Sequence, residues 1–378
     1  MKNKIHLHPH VLTTSQPKKS MKANTIILEG GLGNRMRVTA SAYAMAKRTG
    51  IPMRVLWTKQ WGMRCRFDEL FKADLPPALP VREGAVTFDS CKADACSEHS
   101  APSLTGRAGG GSFIRDARGF EKLLFARPTL KNLHAPHLLQ RLCYRHIIYA
   151  PQIWYLNRDG FDYEAWFRQG GTLMTAYRDF CPWTSDDLRL LFRPNDDVRR
   201  LIDERCRDFT ANTIGIHIRR TDHQQAIDES PLELFFEAID KELEAPSRPP
   251  RGGANKSSGK LLETIAPPRG GREGAIYLAT DDEATKAALR RRYGKRVITS
   301  DAEATRESTD GIRDALVEMY ALSRTRQIYG SAGSTFSPIA ACLGDVPITI
   351  LQRDGHGDVD LLCPLPHPKD TTETFAAS

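Results

Sequence analysis

The alternation of apolar and polar positions is clearest in two parts of the chain. In "NTIILEGGLGNRMRVTASAYAMAKRTGIPMRVLW" (Asn24 to Trp57) an apolar run over Thr25 to Leu28 breaks at Gly30, Gly31 and Gly33. It continues at helical spacing until Gly50 and ends in a second apolar run. The pattern predicts strand, glycine turn, helix and strand within the length of one βαβ unit. From Phe192 onward four short strand signals, "TIGIHIRR", "AIYLATDD", "RVITS" and "RQIYGSAGS", are separated by helical stretches. This predicts a second α/β half. Between them the chain gives little signal, and residues 80–112, rich in Gly, Ser and Ala, read as a surface excursion. The expected organisation is a flexible leader over 1–22, with Met21 as an alternative start, one Rossmann-like domain over 23–190 and a second over 191–362. The Pro, Gly and Ser content of 245–274 predicts a disordered insertion, and 363–378 a loose tail.

Chemistry concentrates in the second half. In "TIGIHIRR" the period of two puts His217 and Arg219 on one face of a strand and Arg220 on the other. Both arginines leave the strand at its carboxyl end, where open parallel sheets bind ligands, so the pair fits an anion site. A structural ion pair with Asp222 is the alternative. Ser230, Pro231 and Glu233 have the spacing of a capping box. Asp228 and Glu229 then fall just before a helix, as a candidate general base or simply as acids at a positive helix end. Thr280 and Glu283 repeat the box spacing, with Asp281 exposed in a structural turn. In "QIYGSAGSTFSPIAACLG" a strand opens through Gly330, Ser331, Gly333 and Ser334 into a helix with Thr335 and Phe336 in its first turn. Such a start offers free N–H groups to a phosphate, although ordinary helix caps look the same. "GIRDALVEMYALSRT" buries Ile312, Ala315, Leu316, Met319 and Leu322 at helical spacing, with Glu318 at the edge as a solvated or ligand-reading carboxylate.

Composition narrows the partners. At 378 residues two domains are expected, and 40% hydrophobic with 26% charged residues is a globular balance. No apolar run nears the roughly 20 residues of a membrane span, which leaves at most peripheral membrane contact. A net charge of +8 favours an anionic partner. The basic residues come in short groups such as "LRRRYGKR" without interleaved aromatics, which argues against nucleic acid. Eight cysteines without CxxC spacing read as reduced thiols of a cytoplasmic protein and not as a zinc site. Asp358-Val359-Asp360 has the Asp-x-Asp form that holds a divalent ion in many nucleotide-sugar enzymes, but it lacks a strand-turn context, so no metal is expected.

Four short motifs carry a resemblance. "HIRRTD" resembles the first motif of the α1,6-fucosyltransferases, "IYLATDD" and "GSTFS" resemble their two later motifs, and "GGLGNR" is similar to the glycine turn of the protein O-fucosyltransferases. The resemblance implies a GT-B fold of two Rossmann-like lobes facing a cleft, the first on the acceptor side and the second holding the donor. It further implies GDP-fucose as donor, inversion at the sugar carbon, no metal, and a glycan or glycoconjugate acceptor. By motif, Arg219 would hold the β-phosphate with His217 and Arg220 beside it, and Glu318 would read guanine. Ser334, Thr335, Phe336 and Ser337 would wrap the nucleotide, and Gly31, Gly33 and Asn34 would approach the donor sugar. His223 and Ile227 stand where that group has a lysine and a glutamate. A GT-B transferase using another nucleotide sugar and a non-catalytic basic protein that binds nucleic acid are the alternatives.

Overall fold

The computed structural model describes residues 24–59, 63–72, 113–221, 223–244, 274–302, 304–353, 355–356 and 361–366. The leader, the stretch 80–112, Asp222, Asp358 to Asp360 and nearly all of the insertion lie outside the described residues. The first sheet is built from β1 (Asn24–Leu28), β2 (Met53–Trp57), β3 (Ile114–Asp116), β4 (Ile147–Ile148) and β5 (Leu173–Ala176). Its helices are α1 (Leu32–Thr49), α2 (Glu121–Leu124), α3 (Ala135–Cys143), α4 (Ala150–Arg158) and α5 (Tyr163–Phe167). The linking helices α6 (Ser185–Leu191) and α7 (Asp196–Arg205) lead to β6 (Ile214–Ile218), α8 (Gln224–Glu229), α9 (Leu232–Glu244), β7 (Ile276–Thr280) and α10 (Glu283–Tyr293). The chain then runs through β8 (Val297–Thr299), α11 (Thr309–Leu322), β9 (Ile328–Ser331), α12 (Phe336–Gly344), β10 (Ile348–Gln352) and β11 (Gly355–His356).

The strand order is β3-β2-β1-β5-β4 in one sheet and β11-β10-β9-β6-β7-β8 in the other. All pairings are parallel except the short β10–β11 ladder. Parallel strands covered on both faces bury every residue, which is why β1, β6 and β7 are mostly apolar and why even Asn24, Thr25 and His217 within them are buried. The order reverses beside β1 in the first sheet and beside β6 in the second, and each reversal opens a crevice at the carboxyl ends of the strands. The readable α/β pattern at both ends of the chain is therefore present. β3, β4 and β5 complete the first sheet from the stretch that carried little signal, because strands of two to four residues are too short to show a period.

Several local expectations change. Ser230 does not cap α9: its hydroxyl donates to Leu351 O (2.6 Å) and accepts from Ala332 N (2.8 Å), joining the ends of β9 and β10. α10 is capped by Asp282, which accepts from Thr285 N at 2.8 Å, and not by Thr280. The segment between β6 and α9 contains α8, whose N-terminus is capped by His223 Nδ1 accepting from Ala226 N (3.1 Å). Of the tail expected over 363–378, residues 367–378 lie outside the described residues, and the chain is not loose where it passes Cys363. That residue is buried, Leu362 N donates to Asp179 Oδ2 (2.8 Å), and Leu361, Leu362 and Leu365 pack on the core. The main hydrophobic cluster is continuous from Trp57 and Phe71 through Leu188 and Phe192 to Leu316 and Ile339, so one core joins elements of both sheets.

Two glycines test this packing. A Cβ on Gly344 would sit 1.9 Å from Ser323 O at the end of α11, where backbone cannot yield, whereas Gly31 (φ −76°) has no atom within 4 Å of an added Cβ. Gly344→Ala is expected to cost about 1–3 kcal/mol or more by overpacking and to lower the Tm by several degrees. Gly31→Ala should leave the Tm nearly unchanged, and thermal melts of the two variants check both.

Candidate active site

A cavity of about 670 Å³ collects residues from the carboxyl edges of both sheets. From the first sheet come the glycine turn with Gly31, Gly33 and Asn34, then Arg37 of α1, Tyr177 and Arg178. The second contributes His217, Arg219, Thr221, His223, Asp281, Glu318 and the segment Gly333 to Phe336.

The turn forms because Gly30 adopts φ +77°, a left-handed conformation open to glycine, and a Cβ there would meet Asn34 Nδ2 at 2.8 Å. Buried Arg35 fixes the turn from below. Its Nε donates to Gly30 O (2.9 Å), its Nη1 to Thr58 O (2.9 Å), and its guanidinium lies 5.4 Å from the centre of the Trp57 ring. Burial lowers the pKa of Arg35 to about 9. α1 then starts with no side-chain cap and no acid in its first turn, and so does α12. By contrast α6, α7, α10 and α11 are capped by Thr184, Asn195, Asp282 and Ser308. The two uncapped ends meet: Thr335 Oγ1 donates to Asn34 Oδ1 (3.2 Å), and a Cβ on Gly33 would lie 3.0 Å from Thr335 Oγ1. The positive ends of two helices therefore meet beside one space, although Phe336 N of α12 already donates to Ser334 Oγ (3.4 Å) and Pro338 has no N–H to give. Each helix end carries roughly +0.5 of an elementary charge.

Arg219 follows β6 directly. Its N–H donates to Ser331 Oγ (3.1 Å), and its guanidinium pairs with Asp281 at 3.0 Å. Asp281 sits at the end of neighbouring β7 and also accepts from Arg220 N (2.9 Å) and Thr221 Oγ1 (2.7 Å). Although burial opposes it, the Arg219 charge and these donors hold the Asp281 carboxyl below its ordinary range. Arg219 thus does enter an ion pair, with Asp281, which is not the exposed turn residue expected. The partner weighed on sequence grounds, Asp222, lies outside the described residues. Arg37 also reaches the cavity, with Nη2 donating to Tyr177 O (3.0 Å) and Nη1 3.7 Å from Asp179. Its pKa falls to about 10 through burial, opposed by Asp179, which leaves it charged at neutral pH.

His217 lines the cavity but is neutral: burial, and then the Arg219 charge, lower its pKa to about 3. The ring stacks on Phe336 (4.9 Å between centroids, 22°), and Nδ1 pairs with Ser337 Oγ (3.2 Å). His217 is therefore a wall and not a second cation, and Ser337 is buried behind it. Arg220 is outside the cavity lining, its guanidinium donating to Ile227 O (3.3 Å) and Ser230 O (2.8 Å). Asp228 and Glu229 are likewise not brought to the cavity. They end α8 and accept from Gln224 (2.8 Å) and Gln225 (2.9 Å), one helical turn earlier. Glu318 does line the cavity, from α11, and its carboxylate has no hydrogen bond among the described residues. Burial, and then nearby Asp314, raise its pKa to about 8.

Sequence reasoning missed Arg37, Tyr177, Arg178 and His223 as lining residues and undervalued Asp281. The available signals were a helix that starts "LGNRMR" without an acid, and an aspartate leaving a strand at the same edge as Arg219. Among the described residues no group of three or more His, Cys, Asp or Glu is placed to hold a metal, and no helix is long and apolar enough to cross a membrane.

No family model matches the sequence, and no curated protein matches it. Solved structures do. A NodZ alpha-1,6-fucosyltransferase soaked with GDP-fucose aligns over 89% of this chain and 97% of its own, with 16% identity and a TM-score of 0.51. The selenomethionine form of fucosyltransferase NodZ from Bradyrhizobium aligns over the same shares at 17% identity and a TM-score of 0.50. A mutant of Arabidopsis thaliana FUT1 in complex with GDP aligns over 93% of this chain and 76% of its own, at 15% identity and a TM-score of 0.50. The likeness extends over nearly the whole chain, and the protein has the GT-B-like α/β fold of these fucosyltransferases.

Proposed function

We propose that this chain is a fucosyltransferase that takes GDP-fucose and transfers fucose, with inversion, to a hydroxyl of a glycan or glycoconjugate. The observation that carries the reading is the pair of uncapped helix N-termini meeting beside Arg219. The positive ends of two helices and a guanidinium suit a diphosphate leaving group, whose charge grows as the bond to the sugar breaks. Similarity in fold to enzymes solved with GDP and GDP-fucose supports the choice of donor. In this reading Arg219 takes the β-phosphate, oriented by Asp281, and the start of α12 takes its neighbour. Neutral His217 and Phe336 form an uncharged wall that does not compete for the anion. Glu318 reads guanine, because only that base presents adjacent N1–H and N2–H donors to one carboxylate. Asn34 lies beside the donor sugar, and the lobe containing α1 receives the acceptor. Arginine and backbone donors do the work of a cation here, so transfer should continue in excess EDTA; loss of activity restored by Mg²⁺ or Mn²⁺ would oppose this.

GDP should raise the Tm far more than UDP or ADP, and equal shifts would favour a different nucleotide sugar. Because the free Glu318 carboxyl has a pKa near 8 and guanine's donors select its ionised form, GDP affinity should fall on the order of tenfold per pH unit below about 8. The same group bears on stability. A carboxyl whose pKa is raised on folding contributes stability that is complete below its unfolded value and is lost as pH rises through about 8. Glu318→Gln should therefore gain Tm relative to the parent between about pH 5 and 8, and should flatten the pH dependence of GDP binding.

Arg219→Ala and Arg219→Lys should each lose on the order of 10²-fold in turnover, since a lysine cannot reproduce the planar fork. Folding should survive in both, because Asp281 keeps its bonds from Arg220 N and Thr221 Oγ1. Asp228→Asn and Glu229→Gln should keep turnover close to that of the parent. Near-normal turnover in the Arg219→Lys variant would return Arg219 to a purely structural role.

A further inference from the structure

All eight large hydrophobic side chains that stand exposed among the described residues lie between Phe120 and Tyr155, on or beside α2, α3 and α4. α2 and α3 pack together on one face of the first sheet, with Leu124 and Leu139 against Ile27, Leu56 and Leu173. The most exposed are Leu133 (87%) and Leu130 (83%) on the turn before α3, with Leu142 (74%) and Leu138 (63%) on the helix itself. Leu138 and Leu142 are one helical turn apart and share the exposed face with Arg141, while Pro136 and Gln140 face inward. The support beneath is fixed: Gln140 Nε2 donates to Leu124 O (3.0 Å), and Tyr144 OH pairs with Thr25 Oγ1 (3.2 Å).

Charge indicates what covers this face. From Lys122 to Arg158 the chain holds Lys122, Arg127, Lys131, Arg141, Arg145 and Arg158 and not one acid, although Asp and Glu number 46 in 378 residues. We propose that the face of α3, with the turn that precedes it, docks on an anionic lipid surface, the leucines entering the acyl boundary and the arginines and lysines meeting headgroup phosphates. A helix with leucines on its outer face and basic residues interleaved is the form that lies in a membrane interface. Leucines more than four-fifths exposed on a turn fit insertion better than apposition to a flat protein surface. The inference does not depend on the transferase reading.

The test uses the full chain and sucrose-loaded vesicles, either of phosphatidylcholine alone or of an equal mixture with phosphatidylglycerol. The protein should pellet with the anionic vesicles and not with the neutral ones. The double variant Leu133→Glu/Leu142→Glu should lower that partition by roughly tenfold or more, and so should Arg141→Glu/Arg145→Glu. Melting curves should show both variants folded; should one fail to fold, the other decides. No pelleting with anionic vesicles, equal pelleting with neutral ones, or binding unmoved by the folded variants would overturn the proposal. Concentration-dependent self-association that the leucine changes abolish, without lipid binding, would overturn it too and assign the face to a second copy of the chain.

Discussion

The arrangement of the site depends on bringing two positive helix ends together without cancelling either. Neither α1 nor α12 has a side-chain cap or an acid in its first turn, yet Asn34 and Thr335 bring the two starts within hydrogen-bonding distance. Like partial charges oppose such a meeting, and unsatisfied N–H groups cost free energy unless something accepts from them. The approach is made possible by Gly33, which has no Cβ to strike Thr335, and by Arg35, which anchors the turn through Gly30 O. The continuous core between the sheets supplies the energy that holds the two ends in place. The positive field left over is the site's main chemical asset.

Around that field the titrating groups are arranged so that cations face the space and neutral or tied groups back it. Asp281 collects donors from Arg219, Arg220 N and Thr221, and so keeps the carboxyl end of β6 rigid while leaving the Arg219 fork at the cavity wall. His217 would add repulsion if protonated, but burial keeps it neutral. At α11 the situation reverses: Glu318 is a carboxyl raised in pKa and without a hydrogen-bonding partner among the described residues. A group held in that condition is destabilising unless a ligand with suitable donors offsets the cost, and raised carboxyls often mark functional positions for this reason. The two ends of the cavity thus ask for opposite chemistry, an anion at the helix starts and a donor-rich ring at α11.

The GT-B-like architecture was legible because parallel strands buried on both faces need continuous apolar sequence. The turns at their carboxyl ends need glycine, serine and charge. "TIILEGGLGNR", "IGIHIRR" and "IYGSAGSTF" therefore announced both halves and their ligand edges, and Arg219, Asn34, Thr335 and Glu318 do line one cavity. The first sheet was half hidden, since β3, β4 and β5 are too short for a period to appear. Ser230 shows how a local rule fails. Its capping-box spacing is genuine, but tertiary partners at Leu351 and Ala332 claim the hydroxyl first.

By itself, then, the sequence determined the strands and helices that flank the two glycine- and serine-rich turns and which edge of each sheet carries charge, because these follow from periodicity and from nearest neighbours in the chain. Only the tertiary structure decided which charges are available. It paired Arg219 with Asp281 of the neighbouring strand end, turned Arg220 onto the carbonyls of Ile227 and Ser230, and left Asp228 and Glu229 out of the cavity lining. It also brought Arg37 to the site from within a helix, and Tyr177 and Arg178 from a stretch with no readable chemistry. The physical reason is that burial and hydrogen-bond competition are set by groups distant in the chain, and they decide whether a polar side chain meets a ligand or its own protein.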